Sequence, residues 1–224
     1  MSLPMNASDT AGYEDRVARS VPGLRDLHRM CGLLLAERVP AEGRVMVLGA
    51  GGGLELKALT EARPGWRFDG IDPSAEMLQQ ARIVLADRLD RVVLHQGYVD
   101  DAPDLPFDGA TCLLTLHFLE RGERVRTVRE VSRRLKPGAP FVVAHHSFPT
   151  EDGGHDKWLA RNAAFLESGG VPAADAQKSI AAIKERLPVL SPAEDEAVLR
   201  EAGFTDVELF YAAFTFKGWV AYRN

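Results

Sequence analysis

The apolar run Val45-Met46-Val47-Leu48 breaks into five small residues, Gly49-Ala50-Gly51-Gly52-Gly53, and a second run, Trp66 to Ile71, ends on Asp72. A strand that turns tightly into a helix presents free backbone N–H groups, and glycine lets a ligand reach them because no Cβ stands between. Asp72 lies nineteen positions beyond Gly53, where a second parallel strand would end, and a carboxylate there can accept both hydroxyl hydrogens of a ribose. These types at this spacing predict a site for an adenosyl compound. The glycines read GxGxG, whereas the dinucleotide pattern GxGxxG needs Gly or Ala at Leu54, or at Leu56 in the frame that starts at Gly51. Neither GxxxxGKS nor GxxxxGKT occurs, so triphosphate chemistry finds no lysine and magnesium ligand. S-adenosylmethionine is the adenosyl ligand that remains.

Such a site needs a sheet edge, and the chain supplies the elements for one. Helical periodicity covers Tyr13 to Ser20 and Leu24 to Val39, with Leu24, Leu27, Cys31, Leu34 and Leu35 on one face. Strands are expected at Val45 to Leu48, Trp66 to Ile71, Arg91 to His95, Ala110 to Leu116 and Pro140 to Ala144, with helices in the intervals. Pro73 or Ser74 opens the helix through Met77, and Arg63-Pro64-Gly65 closes the one before it. A final helix, Pro192 to Ala202, precedes two apolar stretches, Val207 to Ala212 and Phe214 to Tyr222, close enough to pair as a hairpin. The alternation predicts an α/β fold with a doubly wound, seven-stranded, mostly parallel sheet that binds ligands at its carboxyl edge. Two helical stretches between 150 and 190, separated by Gly169-Gly170, break the alternation and are expected to form a lid in which Trp158 and Phe165 close over the site. One domain is expected: N-terminal helices (1–40), a cofactor-binding half (41–149), the helical lid (150–190), and a C-terminal helix and hairpin (191–224).

The chain resembles the class I S-adenosylmethionine-dependent methyltransferases, whose fold is Rossmann-like. The resemblance runs through VMVLGAGGG, FDGIDPSAEMLQQAR, LPFDGATCLLTLHFLE, VSRRLKPGAPFVV and LREAGFTDVELF. It implies a cofactor site formed by Gly49, Ala50, Gly51, Gly53, Asp72, Pro73, Met77, Gly97, Tyr98, Val99, Leu114 and Thr115. Two positions depart from the family. Tyr98 stands where an acid reads the adenine amine, which leaves adenine recognition to the Val99 backbone, to stacking by Tyr98 or to Asp100. Val47 stands where an acid helps to place the methionine ammonium. His117 and His145, the latter followed by His146, are the titratable groups expected to face the transferred methyl, where a neutral imidazole can take a proton from a nucleophile. The other reading of each is a structural histidine at a strand end, and in-line displacement at a sulfonium needs alignment rather than a base.

Within that class the chain is similar to the carboxy-S-adenosylmethionine synthases through RSVPG, LLLAERV, LTLHFLE and the tail AGFTDVELFYAAFTFKGWVAY. That family acts in transfer-RNA wobble-uridine modification and carboxylates S-adenosylmethionine at the expense of prephenate. The resemblance places a carboxylate-gripping arginine after a Gln-Lys pair, where this chain has Gln177-Lys178-Ser179, and a tyrosine where it has Leu24. Serine cannot form the bidentate pair that suits arginine to a carboxylate. The expected activity is therefore methyl transfer to a small molecule. The alternatives are carboxylation and a non-catalytic adenosyl-binding module.

With 224 residues, 46% hydrophobic and 26% charged, the chain can bury one core but not two full-sized catalytic domains. A net charge of −5 argues against nucleic acid as a direct substrate. Arg126, Arg129 and Arg133 read as the solvated face of a helix buried through Val125, Val128, Val131 and Leu135, with Arg134 beside them. Cys31 and Cys112 sit in apolar runs and read as buried thiols, and no metal-ligand spacing occurs. No apolar stretch approaches the roughly 20 residues of a membrane span, and the opening residues lack the pattern of an export signal. A cytoplasmic enzyme without a membrane partner is expected, and a homodimer is compatible with the sequence.

Overall fold

The computed structural model describes residues 10–224, so the reading of the opening residues lies largely outside it. Two helices, α1 (Thr10–Ser20) and α2 (Leu24–Ala36), lead into the alternating part: β1 (Arg44–Leu48), α3 (Leu54–Ala62), β2 (Arg67–Asp72), α4 (Ala75–Leu85) and β3 (Val92–Gln96). There follow β4 (Gly109–Leu113), α5 (Arg121–Arg134), β5 (Pro140–His146), α6 (Gly154–Ser168), α7 (Ala173–Arg186), α8 (Pro192–Glu201), β6 (Phe204–Ala213) and β7 (Phe216–Arg223). The seven strands form one sheet in the order β3-β2-β1-β4-β5-β7-β6, parallel except for β7, which runs antiparallel to both β5 and β6. The expected hairpin is therefore the antiparallel end of an otherwise parallel sheet.

β1 lies between β2 and β4, and Val45 to Leu48 are buried, which explains why this strand reads as an unbroken apolar run. One core lies between the sheet and α2, α3 and α4, with Leu27, Cys31, Leu35, Leu56 and Leu59 fully buried. The other lies between the sheet and α5 and α8, where Val128, Val131 and Leu199 meet Phe141 and Trp219. Burial in these apolar surroundings pushes the thiols of Cys31 and Cys112 well up, so both are inert structural cysteines. Strand order reverses between β1 and β4, which opens a crevice at their carboxyl ends, the usual ligand site of such sheets.

Two strand ends depart from expectation. β4 stops at Leu113, and the chain then passes through Leu114 at φ 58 into a short 3-10 turn, Leu116–Phe118. β5 instead runs two residues beyond Ala144, because His145 and His146 pair with Lys217 and Phe216 of β7. Both differences bear on the histidines.

Candidate functional site

The glycine turn has the predicted form. Gly49, Gly51 and Gly53 adopt φ values of 78, 51 and 84, in the left-handed region that side chains avoid. Gly49 is also sterically fixed, since a Cβ there would lie 1.9 Å from Thr115 Oγ1. A Cβ on Gly51 would meet only ordinary contacts, Met77 Cε at 3.7 Å and Gly49 O at 3.8 Å, so the space beside it belongs to the cavity. Gly53 serves packing instead. A Cβ there would lie 2.9 Å from Ala81 Cα, so its absence allows α4 to pack against the turn.

Asp72 ends β2 beside this turn. Its Oδ2 accepts from Gly51 N at 2.8 Å and its Oδ1 from Ser74 N at 2.9 Å. The carboxylate thus braces the turn, and each oxygen keeps a lone pair for a hydroxyl donor. Ser74 caps α4 by accepting from Met77 N at 3.2 Å. At the end of β3, Gly97 has φ 145, and a Cβ would collide with the Asp101 carboxylate, whose Oδ2 accepts from Tyr98 N at 2.8 Å. Tyr98 is 64% exposed, and Asp100 is engaged by Arg126 at 3.0 Å, with Glu123 on the same guanidinium. The acid that the chain sets against this strand end is therefore Asp101, which the sequence reading passed over.

These groups surround a cavity of about 810 Å3 that is mostly apolar. Of the expected cofactor residues, all but Gly53 line it: Gly49, Ala50, Gly51, Asp72, Pro73, Met77, Gly97, Tyr98, Val99, Leu114 and Thr115. Its remaining wall was not anticipated. Val17, Leu24 and His28 come from α1 and α2, Phe118 and Leu119 follow β4, and Glu55 enters from the first turn of α3. Glu55 was legible in principle, because it stands four residues before the buried Leu59 and so shares its stripe.

His117 and His145 do not reach this cavity. His117 is 5% exposed in the 3-10 turn, and its Nδ1 accepts from His146 N at 3.2 Å. Burial, with the charges of His146, His145 and Arg124 beside it, holds its pKa well below the ordinary histidine value. His145 is 2% exposed, and its Nε2 lies 3.1 Å from Asp195 Oδ1. Arg124, fully buried, donates to the same Asp195 oxygen and to the carbonyls of Leu119 and Pro188. Asp195 is held low despite its burial by the charges of His145 and Arg124. His146 donates to or accepts from Thr215 Oγ1 at 3.0 Å, and burial drives it down to about 3. The histidines expected at the methyl form a packed polar cluster outside the cavity, since β5 carries two of them into the sheet.

The segment expected to cover the site contributes no side chain to the cavity wall. Phe165 packs against Phe214 with ring centroids 5.6 Å apart, and Trp158 lies beneath Arg161 and Lys217, all at the far end of the sheet. The arginine face of α5 is solvated and paired as expected for Arg126 and Arg133, whereas Arg134 is buried against Glu130 and Arg124 is wholly internal. Among the described residues no group of metal-ligating side chains occurs, and no helix is long and apolar enough to cross a membrane.

Residues 46–141 match a family model described as a methyltransferase domain. The chain is 24% identical over 216 residues to the carboxy-S-adenosyl-L-methionine synthase of Actinobacillus succinogenes, covering 94% of this chain and 89% of that one. It is 26% identical over 218 residues to the protein of the same name from Klebsiella pneumoniae, covering 95% and 87%. Human N-acetylserotonin methyltransferase, solved in complex with SAM, superposes with a TM-score of 0.62 at 16% identity, covering 99% of this chain and 60% of that one. Among solved structures like it, the chain spans 53% of the mitomycin 7-O-methyltransferase MmcR and 68% of an O-methyltransferase family 2 protein from Planctomyces limnophilus.

Proposed function

We propose that this chain, whose residues 46–141 match a methyltransferase-domain model, is a class I S-adenosylmethionine-dependent enzyme that transfers a methyl group to a small molecule held in the cavity beneath α1 and α2. The observation that carries the proposal is the cavity itself. Its volume of about 810 Å3 lies high in the roughly 300–1,000 Å3 range of small-molecule sites, which suits two ligands side by side. S-adenosylmethionine supplies an activated methyl on a sulfonium. The donor set fits it: a left-handed glycine turn with open space at Gly51, and a carboxylate at the end of β2.

In this reading Asp72 holds the ribose and keeps the turn in register through Gly51 N. Met77 and Tyr98 flank the adenine region, and Asp101 fixes the backbone of Tyr98 against it. Leu114 and Thr115 border the methyl end. Val17, Leu24, Phe118 and Leu119 supply an apolar wall that excludes water and orients the acceptor. With His117 and His145 outside the cavity, alignment and water exclusion carry the transfer.

Carboxylation is the second reading, favoured by the similarity to proteins of that name over nearly the whole chain. The cations of this chain argue against it. Lys178 is exposed and bound to Asp175 at 3.0 Å, Ser179 donates to the Asp175 carbonyl, and neither lines the cavity. Arg126 does line it but is taken up by Glu123 and Asp100. An added carboxylate would be buried with little compensation. A purely binding module is disfavoured because Trp158 and Phe165 pack elsewhere and leave the cavity open.

Mass spectrometry of the nucleosides formed from S-adenosylmethionine in the presence of prephenate, and separately of small hydroxyl and amine acceptors, tests the choice. S-adenosylhomocysteine formed with an acceptor is the expected result. A nucleoside heavier by one carbon dioxide would overturn methyl transfer in favour of carboxylation.

A further inference from the structure

Glu55 is the unexplained group of the cavity. α3 begins directly after the glycine turn, so Glu55 stands in its first helical turn, yet its side chain is turned inward and is 6% exposed. Its Oε1 has no hydrogen-bond partner, and neither has Thr111 Oγ1 on β4. Thr111 is the register partner of Val47, so both side chains leave the same face of the sheet, beneath α2. The Thr111 hydroxyl lies near enough to favour the anion without meeting hydrogen-bond geometry at Oε1, and burial, with Glu55 beside them, pushes up the thiols of Cys31 of α2 and Cys112 of β4. It therefore faces the ends of β1 and β4 behind the glycine turn, and Val47 brings no charge there.

A buried carboxylate with an unmet acceptor is costly unless something completes it. A neutral apolar acceptor cannot do so. The sulfonium carries no proton to donate, whereas a primary ammonium carries three and a full positive charge. Of the groups that the cavity is built to admit, the ammonium of the cofactor's amino-acid portion matches both deficits. We infer that Glu55 is the anionic anchor for that ammonium and so selects ligands that carry the complete amino-acid portion. The inference rests on the cofactor reading above and adds to it a residue in a place where the strand itself offers no acid.

Calorimetric titration separates the two ideas. S-adenosylhomocysteine carries the ammonium, whereas 5′-methylthioadenosine keeps the adenosyl and thioether groups and lacks it; weak binding of the latter is read by competition against the former. Glu55→Gln is expected to weaken S-adenosylhomocysteine at least tenfold and to leave 5′-methylthioadenosine within twofold. Gln has the shape of the protonated acid, so the variant is expected to fold, and Glu55→Asp, which keeps the charge, should lose less than Glu55→Gln. S-adenosylhomocysteine affinity within twofold of wild type, or equal loss of both ligands, would overturn the assignment while leaving the cofactor reading intact. Wild-type protein that binds neither ligand would overturn both.

Discussion

Glu55 and His145 are both buried, titratable and close to the strand ends, but they lie on opposite faces of the sheet. Glu55 opens on a cavity and lacks a partner for Oε1. His145 opens on nothing: its ring nitrogens also lack a hydrogen bond of normal geometry, but its Nε2 lies 3.1 Å from Asp195, which Arg124 holds in turn, its ring lies 5.8 Å from that of Trp219, and the cavity does not reach it. Burial alone thus marks a polar cluster and not its purpose. What separates a binding group from a structural one is access together with an unmet hydrogen bond on the accessible side.

The polar cluster around His145 breaks most easily at Arg124. Arg124→Met removes the guanidinium from Asp195 inside the second core and leaves that buried carboxylate with only His145 and Ser147 beside it; breaking such a buried pair typically costs about 3–5 kcal/mol. Urea denaturation should show that loss, with S-adenosylhomocysteine affinity of the folded protein little changed. Strong loss of affinity at full stability would make the cluster part of the site.

Asp72→Ala sits on the other side of the comparison. It removes the acceptor for Gly51 N as well as the proposed ribose contact, and should weaken S-adenosylhomocysteine by about 1–3 kcal/mol. Calorimetry showing unchanged affinity would take Asp72 out of the site.

The two clusters should also respond to pH with opposite signs. His146, and His117 with it, titrate lower in the folded chain than in the unfolded one. The unfolded state therefore binds more protons, and stability rises as pH climbs from about 3 towards about 6.5. Glu55 is pushed up to about 7 by burial, so there the folded state binds the extra proton, and its contribution falls as pH climbs from about 4.5 to 7. Thr111, Cys31 and Cys112 face it, and neither thiol ionises in that window; His28 of α2 lines the same cavity. Glu55→Gln should raise stability above pH 7, on the order of 1–3 kcal/mol, and leave it unchanged near pH 4. A variant with the wild-type pH profile would show that Glu55 ionises without a burial penalty.

The smallest effect is expected where a catalytic role was first sought. His117→Gln and His145→Gln should cost stability but leave kcat within about threefold, below the 10²–10⁴ that a general base contributes. A loss of a hundredfold or more in kcat at normal cofactor affinity would restore a histidine to the reaction.

The cofactor half of the molecule was legible because its signals are local. The glycine turn, the strand-end acid and the alternation of short apolar runs with helices each follow from a few neighbouring residues, and each has a counterpart at Gly49 to Gly53, Asp72 and the parallel sheet. The histidine positions were misjudged because strand ends are set by pairing with distant partners. β7, some seventy residues on, draws His145 and His146 into the sheet, and no local pattern marks that. The roof was missed for the same reason: α6 and α7 show the same amphipathic pattern whether they cover the cavity or, as α6 does, pack on the turn at Phe214. Glu55 escaped notice because an acid in the first turn of a helix is ordinarily a solvated partner of the helix dipole.

An adenosyl cofactor seated on the glycine turn is open to test by calorimetric titration of S-adenosylmethionine into wild type and Gly51→Val. An added Cβ meets only ordinary contacts with the protein and would stand in the cavity on a left-handed backbone. One site per chain in wild type, weakened at least tenfold in the variant while the protein stays folded, is the predicted result. No binding by wild type, or equal affinity in the two proteins, would contradict the account.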